Sequence, residues 1–350
     1  MQASKISQFP SVTIGVINYN GSKYLEKTLA AIFKIDYPDY DVMLIDNAST
    51  DESVEYVRKH FKDVSVHEMA DNRGPNIARN FALKNAENRY LLLLDNDAIV
   101  TKECLSNLIG VLTESPDAAT CSPLIVDSEN EQKVQYGVTH IHFVGAALIE
   151  NLNGSGSTTD ERVSVATTIN GTALLVDRDR ANKVGLFDEQ MFFGWTDGDY
   201  SFRLTGAGYK CLVDKKSKVL HPASVRSKKV VLHQVKNRWV FILKNYSWKT
   251  IILSFPALVF YEIAFFPFVI IKGNLKEYFM AITTMIRELP KTFEKRKEFF
   301  ERKKLPDKRL LRSGNFTNSQ SIITNKYLKV GTVLVNRILD KYWNLIKRFI

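Results

Sequence analysis

Three short stretches hold the residues best suited to chemistry. Asp95 and Asp97 stand one residue apart at the end of Leu91-Leu92-Leu93-Leu94-Asp95-Asn96-Asp97. Two carboxylates so spaced can hold a divalent cation, and a cation can hold a diphosphate. The same residues also suit an ordinary Asp/Asn turn. Asp197 and Asp199 lie among aromatics in Phe192-Phe193-Gly194-Trp195-Thr196-Asp197-Gly198-Asp199-Tyr200. Asp197 falls about where a helix should begin. It reads either as the N-cap of that helix or as a general base made more basic by apolar neighbours. His221 follows in Val219-Leu220-His221-Pro222. A lone His is commonly structural, but a neutral imidazole here could complete a cation site begun by Asp97.

These residues need a scaffold that brings them together. Four consecutive leucines read as a strand buried on both faces, as in the middle of a parallel sheet. Strands are expected at Val12–Asn18, Asp41–Ile45, Val64–His67 and through the leucines. Helical spacing separates them, over Lys23–Phe33, from about Ser49 to His60, and over Ile77–Ala86. Alternation of this kind indicates a doubly wound, mostly parallel α/β sheet. Its ligands gather at the carboxyl ends of the strands. Asn18, Tyr19 and Asn20 close the first strand, Asp46 and Asn47 the second, Asp95 and Asp97 the leucine strand. An acid after the second strand suits a base or ribose.

Residues 127–160 are rich in Ser, Asn, Gly and Glu and read as loops around a strand or two, with a flexible lid at Asn153-Gly154-Ser155-Gly156-Ser157. Ile169–Val176 is a buried strand, Asp179–Val184 a short helix, and Cys211–Asp214 a further strand. The 350 residues are 45% hydrophobic, 25% charged and carry a net charge of +10, which suits a packed core and a polyanionic partner. Cys104, Cys121 and Cys211 form no disulfide framework or metal spacing, which fits a reducing compartment. The first twenty residues lack the pattern of a signal peptide. No Gly-x-Gly-x-x-Gly follows the first strand and no Walker A motif occurs, which argues against a dinucleotide dehydrogenase and a P-loop nucleoside triphosphatase.

The chain resembles the family 2 glycosyltransferases, inverting enzymes of the GT-A fold, and especially their rhamnosyltransferase-like branch. The segments that carry the resemblance are IGVINYNGSKYLEKTL, LIDNASTDES, NRGPNIARNFAL, LLLLDNDAIV, INGTALLVDRD, LFDEQMFFGWTDGDYSFRLTGAGYKC and VLHPASVRS, in family order between Val12 and Ser227. The resemblance implies a nucleotide-sugar donor, Mn²⁺ or Mg²⁺, and attack by an acceptor hydroxyl with inversion. It places Tyr19, Asn20, Asp46, Asn47, Arg73, Arg79, Asn80, Asp95 and Asn96 about the donor. Asp95, Asp97 and His221 become cation ligands, Asp197 the catalytic base, and Trp195, Asp199 and Arg203 acceptor contacts. One departure is Thr196-Asp197, where the family usually carries Glu-Asp. The Gln-x-x-Arg-Trp motif of processive synthases is also missing, which favours transfer of one or a few sugars.

From Lys228 the character changes, so residues 1–227 are expected to form the catalytic domain and 228–350 a mainly helical region that meets the membrane. Ile251–Ile271 is apolar and long enough to span a bilayer, yet it holds Pro256, Glu262 and Pro267. A membrane-embedded or re-entrant hairpin is expected in preference to a straight span, with a core helix as the third reading. Arg287–Arg312 is strongly basic and suits anionic lipid, and Tyr327–Ile350 has the pattern of an interfacial amphipathic helix or a dimer contact. The expectation is a membrane-associated glycosyltransferase on the cytoplasmic face, acting on a glycan or lipid-linked acceptor, with no nucleic-acid partner and an open oligomeric state. Its rivals are a nucleotidyltransferase and a non-enzymatic membrane-bound polyanion-binding protein.

Overall fold

The computed structural model describes residues 9–150, 161–223, 228–316 and 326–350. The expected lid at 153–157 and the last residues of the VLHPASVRS segment lie outside them.

The first half alternates as its spacing predicts: β1 (Val12–Asn18), α1 (Leu25–Ile32), β2 (Tyr40–Asp46), α2 (Ser53–His60), β3 (Val64–Glu68), α3 (Pro75–Asn85) and β4 (Tyr90–Asp95). There follow β5 (Ile99–Val100), α4 (Cys104–Glu114), β6 (Ala118–Asp127), β7 (Val134–Tyr136), β8 (Thr139–His142), β9 (Ala146–Ile149), β10 (Val163–Ala166), β11 (Ala173–Asp177), α5 (Arg178–Ala181), α6 (Thr196–Gly206) and β12 (Lys210–His221). The main sheet runs β10-β12-β6-β11-β4-β1-β2-β3, with β5 and β7 on its margins. Strands β12, β6, β4, β1, β2 and β3 share one direction, and β11 and β10 oppose it.

The leucine strand is buried on both faces. Leu92 and Leu94 join a core with α1, α2 and α4, while Leu91 and Leu93 join another with α3 and α6. The period-two alternation of a strand divides a continuous apolar run between two helical layers. Residues 127–160, expected as loops with a strand or two, hold β7, β8 and β9 before the undescribed part. The expected Cys211–Asp214 strand and the Val219–His221 stretch form one long strand, β12. Its register against β6 shifts between Asp214 and Lys218, and that irregularity hides its continuity in sequence.

Residues 228–350 form α7 (Lys228–Asn245), α8 (Trp248–Ile271), α9 (Leu275–Arg287), α10 (Leu289–Arg302), α11 (Asp307–Leu310) and α12 (Lys326–Ile346), with β13 (Leu311–Arg312) paired to β8. The expected change of character at 227 is a change from sheet to helices, but packing is continuous across it. Ile141, Phe143, Met191 and Phe202 share one core with Val240, Phe241, Leu258, Phe299, Leu339 and Trp343.

The hairpin reading of 251–271 is corrected: α8 is a single unbroken helix of 24 residues containing both prolines. Pro256 and Pro267 lie on its exposed side, and the carbonyls they leave without a donor belong to Ile252 and Ile263, also exposed. The helix therefore loses bonds only where its backbone faces outward. Glu262 faces inward, paired with Arg238 of α7 and accepting from Tyr278 Oη of α9 at 2.9 Å.

Candidate active site

The carboxyl edge of the sheet gathers side chains far apart in sequence. Asp95 ends β4, Asp97 follows in the next turn, and His221 ends β12. His221 Nε2 lies 3.5 Å from Asp97 Oδ1. Burial pushes the Asp97 carboxyl above its ordinary value; His221 pulls it down and Asp95 pushes it further up. His221 Nδ1 lies 3.0 Å from Gln135 Oε1 on β7. Since Oε1 can only accept, Nδ1 carries a proton, and Nε2 is the ring nitrogen turned to the Asp97 side, where it would meet a cation.

Among the described residues no three His, Cys, Asp or Glu side chains converge into a complete cation cage. The residues nonetheless fit a hard divalent cation, because such ions commonly take one or two carboxylates from the protein and complete their shell with phosphate oxygens and water. Asp95 stands apart from Asp97: its Oδ1 accepts from Arg79 Nη2 at 3.1 Å.

The edge beyond β1 and β2 is a network of short polar side chains. Asn18 Nδ2 donates to Asp46 Oδ1 at 2.7 Å and to Ser53 Oγ at 2.9 Å, and Asn18 Oδ1 accepts from Asn96 Nδ2 at 2.8 Å. Asp46 is 1% exposed and its other oxygen caps the Ser49 amide at 2.8 Å. Its carboxylate shapes the turn after β2 more than it presents itself outward. Asn47 is buried and donates to Asn72 Oδ1 at 2.9 Å, which holds the loop carrying the exposed Arg73. Tyr19 is exposed at the lip, while the Asn20 side chain accepts from the Thr50 amide at 2.8 Å. Gly21 has no room for a side chain: a Cβ there would fall 2.2 Å from Asn18 Oδ1 and 2.4 Å from Asn96 Nδ2. The non-glycine residues with positive φ among those described, Asn20, Ala48 and Trp195, all lie in loops of this edge. Such conformations cost about 1 kcal/mol each and concentrate where a site imposes them.

Asp197 is the second residue of α6, so its reading as the N-cap is corrected. Trp195, at φ 64°, holds the cap position without a side-chain bond. Asp197 Oδ1 accepts from the Gly198 amide and Oδ2 from the Gly171 amide, each at 3.0 Å. The carboxylate is half-buried and keeps free lone pairs, as a base requires. Trp195 lies beside it, stacked on Phe241 of α7 with ring centroids 4.8 Å apart. Asn237 Nδ2 of the same helix donates to the carbonyls of Phe193 and Gly194, both at 2.8 Å.

Three expectations change. Asp199 and Arg203, expected at the acceptor, are buried and pair with each other at 2.9 Å. Asp199 also pairs with Lys244 at 2.7 Å and accepts from Asn245 Nδ2 at 2.8 Å, so these groups anchor α6 to α7. Asn80, expected near the donor, spends its amide on Phe187 and Glu189 and holds the loop before α6. Helical position explains all three, since Asp199 and Arg203 are one turn apart on the inward face of α6 and Asn80 lies on the inward face of α3. The sequence reading did not find Gln135, Gly171 or Lys244. Gln135 sits in a polar stretch taken for loop, and a buried Lys in a basic helix carries no local signal.

Comparison with known proteins follows the same lines. The sequence model described as "Glycosyl transferase family 2" matches residues 13–164. TarS of Staphylococcus aureus, a poly(ribitol-phosphate) beta-N-acetylglucosaminyltransferase, is 33% identical over 104 residues, 28% of this chain and 18% of TarS. TuaG of Bacillus subtilis, a putative teichuronic acid biosynthesis glycosyltransferase, is 29% identical over 108 residues, 30% of this chain and 43% of TuaG. The chain thus spans less than half the length of these curated relatives. Among solved structures, GalNAc-T7 with UDP, GalNAc and Mn²⁺ superposes with a TM-score of 0.60 at 17% identity, over 72% of this chain and 51% of the other. The mannosyltransferase PcManGT from Pyrobaculum calidifontis, in complex with GDP-Man and Mn²⁺, gives 0.53 at 17% identity, over 98% and 89%. At that identity the likeness is one of fold, and the fold is GT-A, as the motifs implied. With its motifs in order along the edge of this sheet, the chain matches the model of glycosyl transferase family 2 over residues 13–164 and has the GT-A fold.

Proposed function

We propose that the chain transfers a sugar from a nucleotide-sugar donor to a hydroxyl of a glycan or lipid-linked acceptor, with inversion and with Mn²⁺ or Mg²⁺, in the synthesis of a cell-surface polysaccharide or glycolipid. One observation carries this reading: Asp97 and His221, 124 positions apart in sequence, face each other at 3.5 Å on the edge where Asp95 and Asp197 also lie. A cation held there would offset negative charge developing on a departing diphosphate. Asp97 and His221 would hold it, and Gln135 keeps the His221 ring turned for the purpose. Asn18, Asn96, Asn47 and Asp46 shape the donor side, with Tyr19 and Arg73 free to meet a nucleotide. Asp197 would take the proton of the acceptor hydroxyl, with two backbone amides fixing its direction. Trp195, supported by Phe241, offers a face to the acceptor.

A contact with the cytoplasmic face of a membrane belongs to the same proposal. The outward side of α8 bears Ile252, Phe255, Val259, Ile263 and Ile270, all exposed, while Ala257, Leu258 and Val269 are buried on the opposite side. This supports a helix lying along the surface, packed on the protein beneath it, with the basic residues of 228–350 toward anionic headgroups.

The test is incubation of the full chain with UDP-GlcNAc and with GDP-Man, Mn²⁺ and membrane extract. Release of nucleoside diphosphate that is lost in Asp97→Ala and Asp197→Asn supports the reading. Release of pyrophosphate would point to nucleotidyl transfer instead.

A further inference from the structure

We propose that Arg79 and Gly171 are positioning residues that tie the cation-side carboxylate Asp95 to Asp197. The proposal rests on the glycosyl-transfer reading above and gives Arg79 a role other than meeting the donor.

The link is continuous in the structure. Arg79 Nη2 donates to Asp95 Oδ1 at 3.1 Å and to the Gly171 carbonyl at 3.1 Å. The amide of the same Gly171 donates to Asp197 Oδ2 at 3.0 Å. One residue therefore receives the guanidinium on one side and fixes the carboxylate on the other. The turn around it is closed against β4: Asn170 Oδ1 accepts from the Thr172 amide at 2.8 Å, and the Thr172 carbonyl accepts from the Asp95 amide at 2.9 Å.

Burial makes the arrangement selective. Arg79 is 5% exposed, lies 5.7 Å from the Phe187 ring centre, and its Nε is buried without a hydrogen-bond partner. A guanidinium kept with one donor unpaired is worth its cost only if the others do something there. A side chain at 171 would remove the link, because a Cβ would fall 2.8 Å from Arg79 Nη2 and 2.9 Å from Nη1. Filling the donor side draws on Asp95; Arg79 then transmits the change to Gly171, and so to the direction of Asp197. Placement of the base and loading of the donor are coupled through a peptide rather than through substrate.

The test compares the full chain with Arg79→Met, Arg79→Lys and Gly171→Ala. In Arg79→Met, kcat is expected to fall by about tenfold to a hundredfold, the scale on which a small misplacement acts. Donor KM is expected to change by less than about threefold. Arg79→Lys recovers part of the lost kcat, since an ammonium can reach one of the two acceptors. A raised donor KM with unchanged kcat makes Arg79 a donor contact and overturns the proposal. Hydrogen exchange of the 169–172 amides gives a readout independent of turnover. Exchange faster than in the parent is expected in Arg79→Met, Gly171→Ala and Asp197→Ala alike. Unchanged exchange in these variants overturns the link even if sugar transfer is established. If the parent turns over no donor, the functional reading fails and exchange alone judges the link.

Discussion

Gln135 grips His221 at two points: its Oε1 lies 3.0 Å from the ring Nδ1, and its Nε2 donates to the His221 carbonyl at 2.9 Å. The ring is thus held in one direction, with Nε2 turned to Asp97, before any cation arrives. Gln135→Leu should weaken Mn²⁺ binding by about 10-fold to 100-fold, the usual effect of removing such a support. Titration of Mn²⁺ followed by its electron paramagnetic resonance signal measures this. Equal affinity in the variant would make Gln135 a packing residue.

Asp97→Ala should abolish the rise in melting temperature that Mn²⁺ and donor together give the parent. Ligand at about one hundred times its Kd stabilises a fold by about 2.7 kcal/mol, so the loss is measurable by thermal shift. A full rise in Asp97→Ala would place the cation elsewhere.

Asp197→Asn should lower turnover by about 10²-fold to 10⁴-fold, the range attributed to a positioned base. Asn keeps the shape, so the thermal shift with donor and Mn²⁺ should match that of the parent. Undiminished turnover would remove Asp197 from the chemistry.

The buried charges where α6 and the loop before it meet α7 and α10 predict a pH dependence of stability. Asp188 pairs with Lys244 and Lys295, and Asp199 with Lys244 and Arg203. Burial by itself would raise both carboxyls; the cations outweigh it and hold both below the ordinary 3.8. The folded chain therefore takes up these protons later than the unfolded chain as pH falls. Their contribution is complete above about pH 5 and is lost as pH drops through 3.8 toward the depressed values. Urea midpoints should fall between pH 5 and pH 3. Lys244→Met, which takes one of two cations from each of two buried carboxylates, should lose about 3 to 5 kcal/mol at neutral pH and show a flatter acid limb. Parallel curves for parent and variant would deny the cluster this role.

The exposed stripe of α8 predicts binding to anionic vesicles. A variant carrying Ile252→Gln, Phe255→Gln and Ile263→Gln should stay in the supernatant when the parent sediments with phosphatidylglycerol vesicles. Its melting temperature should hold, because these side chains are mostly exposed and outside the core. Sedimentation equal to the parent would move the contact to another surface.

Much was legible from local pattern. Asp95 and Asp97 announce themselves because a both-face-buried leucine run can hardly be anything but a central strand, and polar residues at its end must sit on the sheet edge. The same logic located Asn18 and Asp46. The unbroken course of α8 was not legible, since whether a proline is tolerated depends on whether the carbonyl it frees faces outward.

Sequence by itself determined the alternation of strand and helix and the edge on which chemistry collects, because each depends on residues within one or two turns of each other. Tertiary structure alone decided which carboxylates remain available. Asp197 and Asp199 are near neighbours of one type in one helix, yet one faces the edge and the other is neutralised by Lys244 from a later helix. A side chain's charge belongs to its residue, but its role follows from what the folded chain puts within about 3 Å of it.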